Sequence, residues 1–312
     1  MIDITIIGGG SAARACTDLL TAAGFGLRRT FAFDDEDRSP IILGELPAAL
    51  NVARQAVEAG RHLMIANPSQ LSPERLGLLF EGRRRAQALF LWSTRRFHPS
   101  YRFVSSLIES DATWQPRHLR HETLIAEPPS VSLANWSLIE TAALVTGLAG
   151  NVPRSVTASG AANPMRNANE LMNLTIEFPN LRAFILLGLG EAVERRETLI
   201  AGQRRRLFID ELNQSVPVRL ISDDADGEST PTARWLSTSA PSADELARQQ
   251  CLAFLDSTLH PSQTQDEANL WTQAFAITVA ARQSLLNNGA AAPVEQRESE
   301  APKFRILPQF AS

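Results

Sequence analysis

The residues best suited to chemistry stand at the start of the chain. Gly8-x-Gly10-x-x-Ala13 follows the β-branched run Ile2–Ile7 directly and precedes an amphipathic stretch from Ser11 to Ala23. Glycines at that spacing let a backbone approach a pyrophosphate, and the helix behind them offers its first amides and partial positive charge. Gly8, Gly10, Ser11, Ala12 and Ala13 are therefore candidate contacts to a dinucleotide. Asp34 lies roughly 20 positions or a little more past the glycines, where an acidic residue can hold a ribose hydroxyl. The plainer reading of Asp34 is the opening of an acidic turn, Asp34-Asp35-Glu36-Asp37. Glu140 sits between Ser137-Leu138-Ile139 and Thr141-Ala142-Ala143-Leu144. That apolar setting can raise a carboxyl pKa toward general acid–base use, while a helix-surface or capping glutamate is the plainer reading. His98 and Tyr101 are candidates because the chain has only five histidines and one tyrosine.

Other clusters carry less. His118 and His121 fall on what reads as a strand entry, so they point to opposite faces and no metal site is predicted. Arg83-Arg84-Arg85 and Arg204-Arg205-Arg206 read as solvated charge. Ser11 and Ser137 have no His/Asp partners at motif spacing, which leaves a serine hydrolase unsupported.

The elements that must position these residues alternate. Strand, glycine turn and helix are followed by an apolar run Thr30–Phe33 and another at Pro40–Leu43. Parallel neighbours in a sheet need a crossover of a dozen or more residues, and no helix fits into Asp35–Ser39. Either one run is not a parallel strand or the unit has lost a crossover. The rhythm then resumes: a helix opened by Pro47, strand Leu63–Ala66, a Ser72-Pro73 helix start and strand Leu89–Trp92. From about Arg117 strand-like runs follow one another with one helical interruption near Leu138–Leu148, which predicts a largely antiparallel sheet. The expected fold is α/β: a Rossmann-like parallel sheet over 1–100, shortened between its second and third strands. An α+β domain with a large open sheet takes 101–290, and a tail over 291–312 packs back on the body.

Bulk composition bounds the role. The 312 residues are 44% apolar and 21% charged, with 30 basic and 34 acidic side chains, hence net charge −4. No apolar run approaches the ~18–20 residues of a membrane span, and the basic-then-apolar pattern of a signal peptide is missing. A mildly acidic chain without a basic stripe is a poor nucleic-acid ligand. Two cysteines, Cys16 and Cys251, exclude a disulfide scaffold and a cysteine-built metal centre. The expectation is a cytoplasmic protein with no nucleic-acid or membrane partner.

Several segments fall into one familiar order. These are Gly8-Gly9-Gly10, Ala56-Val57-Glu58-Ala59-Gly60-Arg61-His62 leading to Ala66-Asn67-Pro68, and Arg95-Arg96-Phe97-His98-Pro99-Ser100-Tyr101-Arg102. Glu197-Thr198-Leu199-Ile200-Ala201-Gly202, Cys251–Asp256 and Ala274–Leu285 complete it. In that order and spacing the chain resembles the glucose-fructose oxidoreductase / inositol dehydrogenase / rhizopine-catabolism (Gfo/Idh/MocA) family over nearly its whole length. The resemblance implies a Rossmann domain binding a nicotinamide cofactor and a second domain carrying substrate and oligomer contacts, in a homodimer or homotetramer. It also places Arg96 near the substrate, where a guanidinium can clamp an anion; a salt bridge between domains is the other reading.

Departures from the family pattern concern its proton-transfer groups. The family's Glu-Lys-Pro motif aligns with Ala66-Asn67-Pro68, and Asn67 can hydrogen-bond a hydroxyl but not titrate. The Asp-x-Gly-x-His signature falls on Trp136-Ser137-Leu138-Ile139-Glu140, which puts Trp136 and Glu140 at the positions of its aspartate and histidine. Two readings result. One is a divergent reductase of an imine or carbonyl small molecule, with NAD favoured over NADP because Asp34–Asp37 repels a 2′-phosphate, although Arg38 argues the other way. The alternative is a non-redox descendant without a cofactor, either a pseudoenzyme that binds a pathway protein or a lyase- or cyclase-type enzyme.

Overall fold

The structure is a computed structural model that describes residues 3–110, 115–126, 131–163, 168–203, 205–213, 217–222, 232–236 and 242–295. The chain opens with β1 (Asp3–Ile7), α1 (Ser11–Ala22), β2 (Gly26–Thr30), β3 (Ile41–Leu43) and α2 (Ala49–Glu58). It continues through β4 (Leu63–Ile65), α3 (Pro73–Gly82), β5 (Leu89–Leu91), α4 (Pro99–Ser110), β6 (His118–Ile125) and α5 (Val131–Ala149). Then come β7 (Ser155–Asn163), β8 (Ala168–Glu177), β9 (Arg182–Leu189), β10 (Arg195–Ala201) and β11 (Arg205–Asp210). The last elements are β12 (Val218–Ser222), β13 (Thr232–Leu236), α6 (Ala243–Leu259), α7 (Pro261–Leu286) and β14 (Ala292–Pro293). Among the described residues no helix is long and apolar enough to cross a membrane.

Two units emerge. The first takes the chain up to Phe97 together with α6 and α7 as far as Phe275. Its five strands run parallel in the order β2-β1-β3-β4-β5. The difficulty between residues 30 and 40 resolves here. Both runs supply parallel strands, but β2 and β3 flank β1 on opposite sides and are never neighbours. Strand β2 also lies earlier than the apolar run Thr30–Phe33, ending at Thr30. The link over 31–40 carries no helix and is fastened by side chains. Thr5 Oγ1 donates to Asp37 Oδ2 at 2.5 Å and lies 2.7 Å from Ser39 Oγ. Arg61, 3% exposed, donates to the carbonyls of Ser39 and Asp34 and lies 3.4 Å from Asp37. Ile4 and Ile6, pointing away from Thr5, join Ala13, Cys16 and Leu20 of α1 in the core.

Helices α6 and the start of α7 belong to this first unit rather than to the 101–290 segment in which the sequence places them. The apolar face formed by Ile42, Met64 and Phe90 extends beyond α1, and Cys251, Phe254 and Leu255 of α6 complete its cover. The two cysteines thereby meet, Sγ to Sγ at 3.3 Å, both buried and both free thiols. Ser72 caps α3 by accepting the Arg75 amide, with Pro73 at the first helical position, as the sequence predicts.

The second unit starts at His98 and includes the remainder of α7. Its nine strands lie in the order β13-β12-β11-β10-β6-β9-β8-β7-β14. Every pairing is antiparallel except β6 with β9. Alternate residues Ala183, Ile185, Leu187 and Leu189 of β9 are buried, and α5 lies against β8 and β9. The predicted tail is described only to residue 295, and within it Ala292 and Pro293 of β14 pair with β7; residues 296–312 lie outside the described residues.

Candidate functional site

In the first unit the chain leaves β1 toward β2 on one side while β3 lies on the other. Ligands of open α/β sheets bind outside the carboxyl ends of the strands at such a reversal. Gly8 and Gly10 form the turn there, with φ of 91° and 93°. Side chains are excluded on steric grounds as well: a Cβ on Gly8 would stand 2.7 Å from the Glu45 carbonyl oxygen. Helix α1 starts at Ser11 with no side chain capping it. The first-turn amides of Ser11, Ala12 and Ala13 have no intrahelical acceptors, which leaves donors at the turn for an anion.

Across the turn lies the segment after β3. Gly9 N–H donates to the Glu45 carbonyl at 3.0 Å and Glu45 N–H to the Gly9 carbonyl at 2.7 Å. The Glu45 side chain is exposed and folds over Gly10, so that a Cβ on Gly10 would meet Cδ at 2.6 Å and Oε1 at 2.7 Å. Asn67 meets it there: its Nδ2 donates to Glu45 Oε1 at 3.1 Å while its Oδ1 accepts the Ser69 hydroxyl at 2.7 Å. The Ser69 contact fixes which way the Asn67 amide faces. Gln70 Nε2 donates to the Gly44 carbonyl at 3.2 Å, holding the two segments together. For a dinucleotide's pyrophosphate the glycine turn and uncapped helix fit, whereas the Glu45 carboxylate opposes the same charge. No motif points to Glu45, because its place depends on β3 lying beside β1.

Asp34 stands in the loop beyond β2, where Arg28 Nη2 donates to its Oδ2 at 2.9 Å and the Glu36 amide to its Oδ1 at 3.1 Å. The Arg28 bond first, and then that amide, hold its carboxyl below the usual range. Phe31, the first residue past β2, is 78% exposed. It is a second residue that spacing alone does not single out.

Arg96 pairs with Glu267 of α7, which also accepts the Trp271 indole N–H at 2.5 Å. The guanidinium carbon lies 5.8 Å from the Trp271 ring and 6.0 Å from that of Phe97. This ion pair lies inside one unit, not between two.

In the second unit His98 precedes α4, with Pro99 at its first position. His98 Nδ1 accepts the Ser100 amide at 3.3 Å and its carbonyl the Tyr101 amide at 3.0 Å. An accepting Nδ1 puts the ring proton on Nε2. Tyr101 is fully buried; its hydroxyl donates to Glu211 Oε1 at 2.5 Å and lies 2.9 Å from Thr198 Oγ1. Thr198 continues to His121 Nδ1 at 2.8 Å, and His121 Nε2 to Thr123 Oγ1 at 2.8 Å. Such a chain of satisfied buried groups orders the sheet and commits the Tyr101 hydroxyl to it. His118 and His121 do lie on one strand, β6, with His118 against Phe184. Among the described residues no group of three or more metal-binding side chains forms.

Trp136 and Glu140 lie one turn apart on α5. From Trp136 to Leu148 every residue is buried except these two, which are half-buried. The helix thus opens along one narrow stripe carrying an aromatic ring and a carboxylate, four residues apart and on the same face.

No family model and no curated protein matches the chain. Solved structures do. Levoglucosan dehydrogenase in complex with NADH superposes with a TM-score of 0.76 at 14% identity, over 95% of this chain and 100% of that one. An NAD binding oxidoreductase from Klebsiella pneumoniae gives 0.76 at 12% identity, over 95% and 99%. UDP-N-acetylglucosamine 3-dehydrogenase GnnA from Acidithiobacillus ferrooxidans gives 0.71 at 19% identity, over 91% and 97%. At these identities the likeness is one of fold. It extends over both units, and the fold is the one the sequence resemblance implies.

Proposed function

We propose that this chain, built on the two-part fold of Gfo/Idh/MocA-type oxidoreductases, is a nicotinamide-dependent reductase of an imine or carbonyl small molecule. The observation that carries the reading is the uncapped start of α1 behind Gly8 and Gly10, beside the β1–β3 reversal of the sheet. NADH in complex with a protein of the same fold supports it further. Ser11, Ala12 and Ala13 would hold the pyrophosphate by their amides, and Phe31 offers an exposed ring to the adenine. Asp34 is the ribose contact, its carboxylate kept charged by Arg28. The negative charge of the loop favours NAD over NADP.

When bound, the nicotinamide supplies hydride; the protein must supply one proton. Glu140 is the proposed donor, because it is the titratable side chain on the open stripe of α5, and Trp136 on the same stripe would pack against substrate. Asn67 would orient a substrate heteroatom by hydrogen bonding without exchanging a proton. Tyr101 and His98 contribute order rather than protons in this reading, given the bonds their side chains already make. The Glu45 carboxylate beside Gly10 favours a second reading, a non-redox descendant that holds no dinucleotide.

Titration with NADH and NADPH, followed by energy transfer from the five tryptophans, separates the two. Micromolar binding abolished by Gly10→Asp is the expected result. Reduction of cyclic imines and ketones by the loaded protein, lost in Glu140→Gln with binding intact, would assign the proton donor. No binding at millimolar cofactor would overturn the reductase reading.

A further inference from the structure

We infer that Glu45 is a built-in competitor for the dinucleotide's pyrophosphate, held over Gly10 by Asn67, so that cofactor binds only when this carboxylate swings away. The inference rests on the proposal that a nicotinamide dinucleotide docks at the glycine turn. Three observations carry it. The Glu45 carboxyl group fills the space a Gly10 side chain would take, so it stands against the turn itself. Its hydrogen bond from Asn67 Nδ2 is directional, because the Ser69 hydroxyl occupies the other end of that amide. Its backbone is pinned on both sides by the paired bonds to Gly9, so only the side chain is left to move.

An anion beside a helix N-terminus is favourable. In the free protein the Glu45 carboxylate stands against the turn with Asn67 Nδ2 as its donor, and a pyrophosphate must displace it. Asn67 and Glu45 thus act as one device: the amide that cannot titrate parks the carboxylate that can repel. The side chain is exposed and its far end flexible, so the turn remains accessible at a cost in affinity.

The test compares NADH affinity of the wild type, Glu45→Gln and Glu45→Ala. Glu45→Gln removes the charge and leaves an oxygen for Asn67; Glu45→Ala removes both. Both variants are expected to bind NADH about tenfold tighter than wild type, the scale of one nearby like charge partly screened by water. Raising the salt concentration should narrow the gap between wild type and Glu45→Gln, since screening weakens the repulsion. Thermal melts establish that the variants are folded. Wild-type binding left unchanged or weakened in both variants would overturn the inference while leaving the dinucleotide site standing. Absence of NADH binding in all three proteins would remove the site, and the inference with it. Binding by the variants but not by wild type would support the inference and overturn the reductase reading for the native chain.

Discussion

Asp37→Asn tests how a sheet can do without the crossover that the link over 31–40 omits. In the folded protein the Asp37 carboxylate accepts the Thr5 hydroxyl at 2.5 Å, and the Ser39 amide and hydroxyl at 2.9 and 2.6 Å. It also stands 3.4 Å from Arg61 Nη2, whose side chain is 2% exposed. Burial alone would raise the Asp37 pKa, but the Ser39 and Thr5 bonds and the Arg61 charge outweigh it and hold the carboxyl well below the usual range. Removing one member of a buried ion pair costs about 3–5 kcal/mol. Arg61 keeps its bonds to the Ser39 and Asp34 carbonyls, and asparagine keeps one acceptor. The expected loss is therefore smaller, about 2–3 kcal/mol. Urea unfolding read from Trp92 and Trp271 of the first unit measures it. The sign with pH follows from the depressed folded-state pKa. Stability is fully present above the unfolded value of about 3.9 and lost as pH falls through the folded one. The gap between wild type and Asp37→Asn should stay constant from about pH 8 to 5 and close below about pH 4. A shift under about 0.5 kcal/mol at neutral pH, the level of an ordinary surface change, would refute the fastening role of Asp37.

Two further outcomes are expected. His62 accepts the Ala88 amide on Nδ1 at 3.0 Å, and burial lowers its pKa. It stays neutral while the unfolded chain protonates, so it should make the protein less stable as pH falls below about 6.5. His62→Gln should flatten that slope in pH-dependent melts, and an unchanged slope would count against it. Cys16 and Cys251 should resist Ellman's reagent in the native protein and both react in denaturant, because their mutual contact and burial raise the Cys16 thiol pKa. Immediate reaction of either thiol with Ellman's reagent in the native protein would contradict the buried contact.

The start of the fold was legible because its signals are local: a β-branched run, glycines and a 3.6-residue apolar period within 22 residues. The Ser72-Pro73 start and the succession of strands after β6 were local as well. Strand order was not. The short link after β2 was visible as a conflict, but only tertiary structure puts β3 across β1, and Glu45 reaches Gly10 through that placement. The same limit hid the meeting of Cys16 with Cys251, since α6 returns to a core begun 235 positions earlier. Rarity in the sequence singles out Tyr101 and His98 but says nothing about the Thr198 and Ser100 groups that occupy them. For Glu140 and Trp136 the sequence supplied the helix, and the burial of their neighbours gives them a shared open face.

The sheet order has a consequence for solubility. Among the described residues no strand lies beyond β2, which makes it an edge, and an edge strand is a template on which another chain can add. Here that edge is five residues long and carries Arg28 and Arg29 in succession. Arg28 is tied to Asp34, and Arg29 Nη2 donates to Thr17. A second strand approaching this edge would have to displace those contacts and bring its own backbone beside two cations. The strand order leaves on β2 a surface prone to pairing, and the sequence of β2 answers with charge.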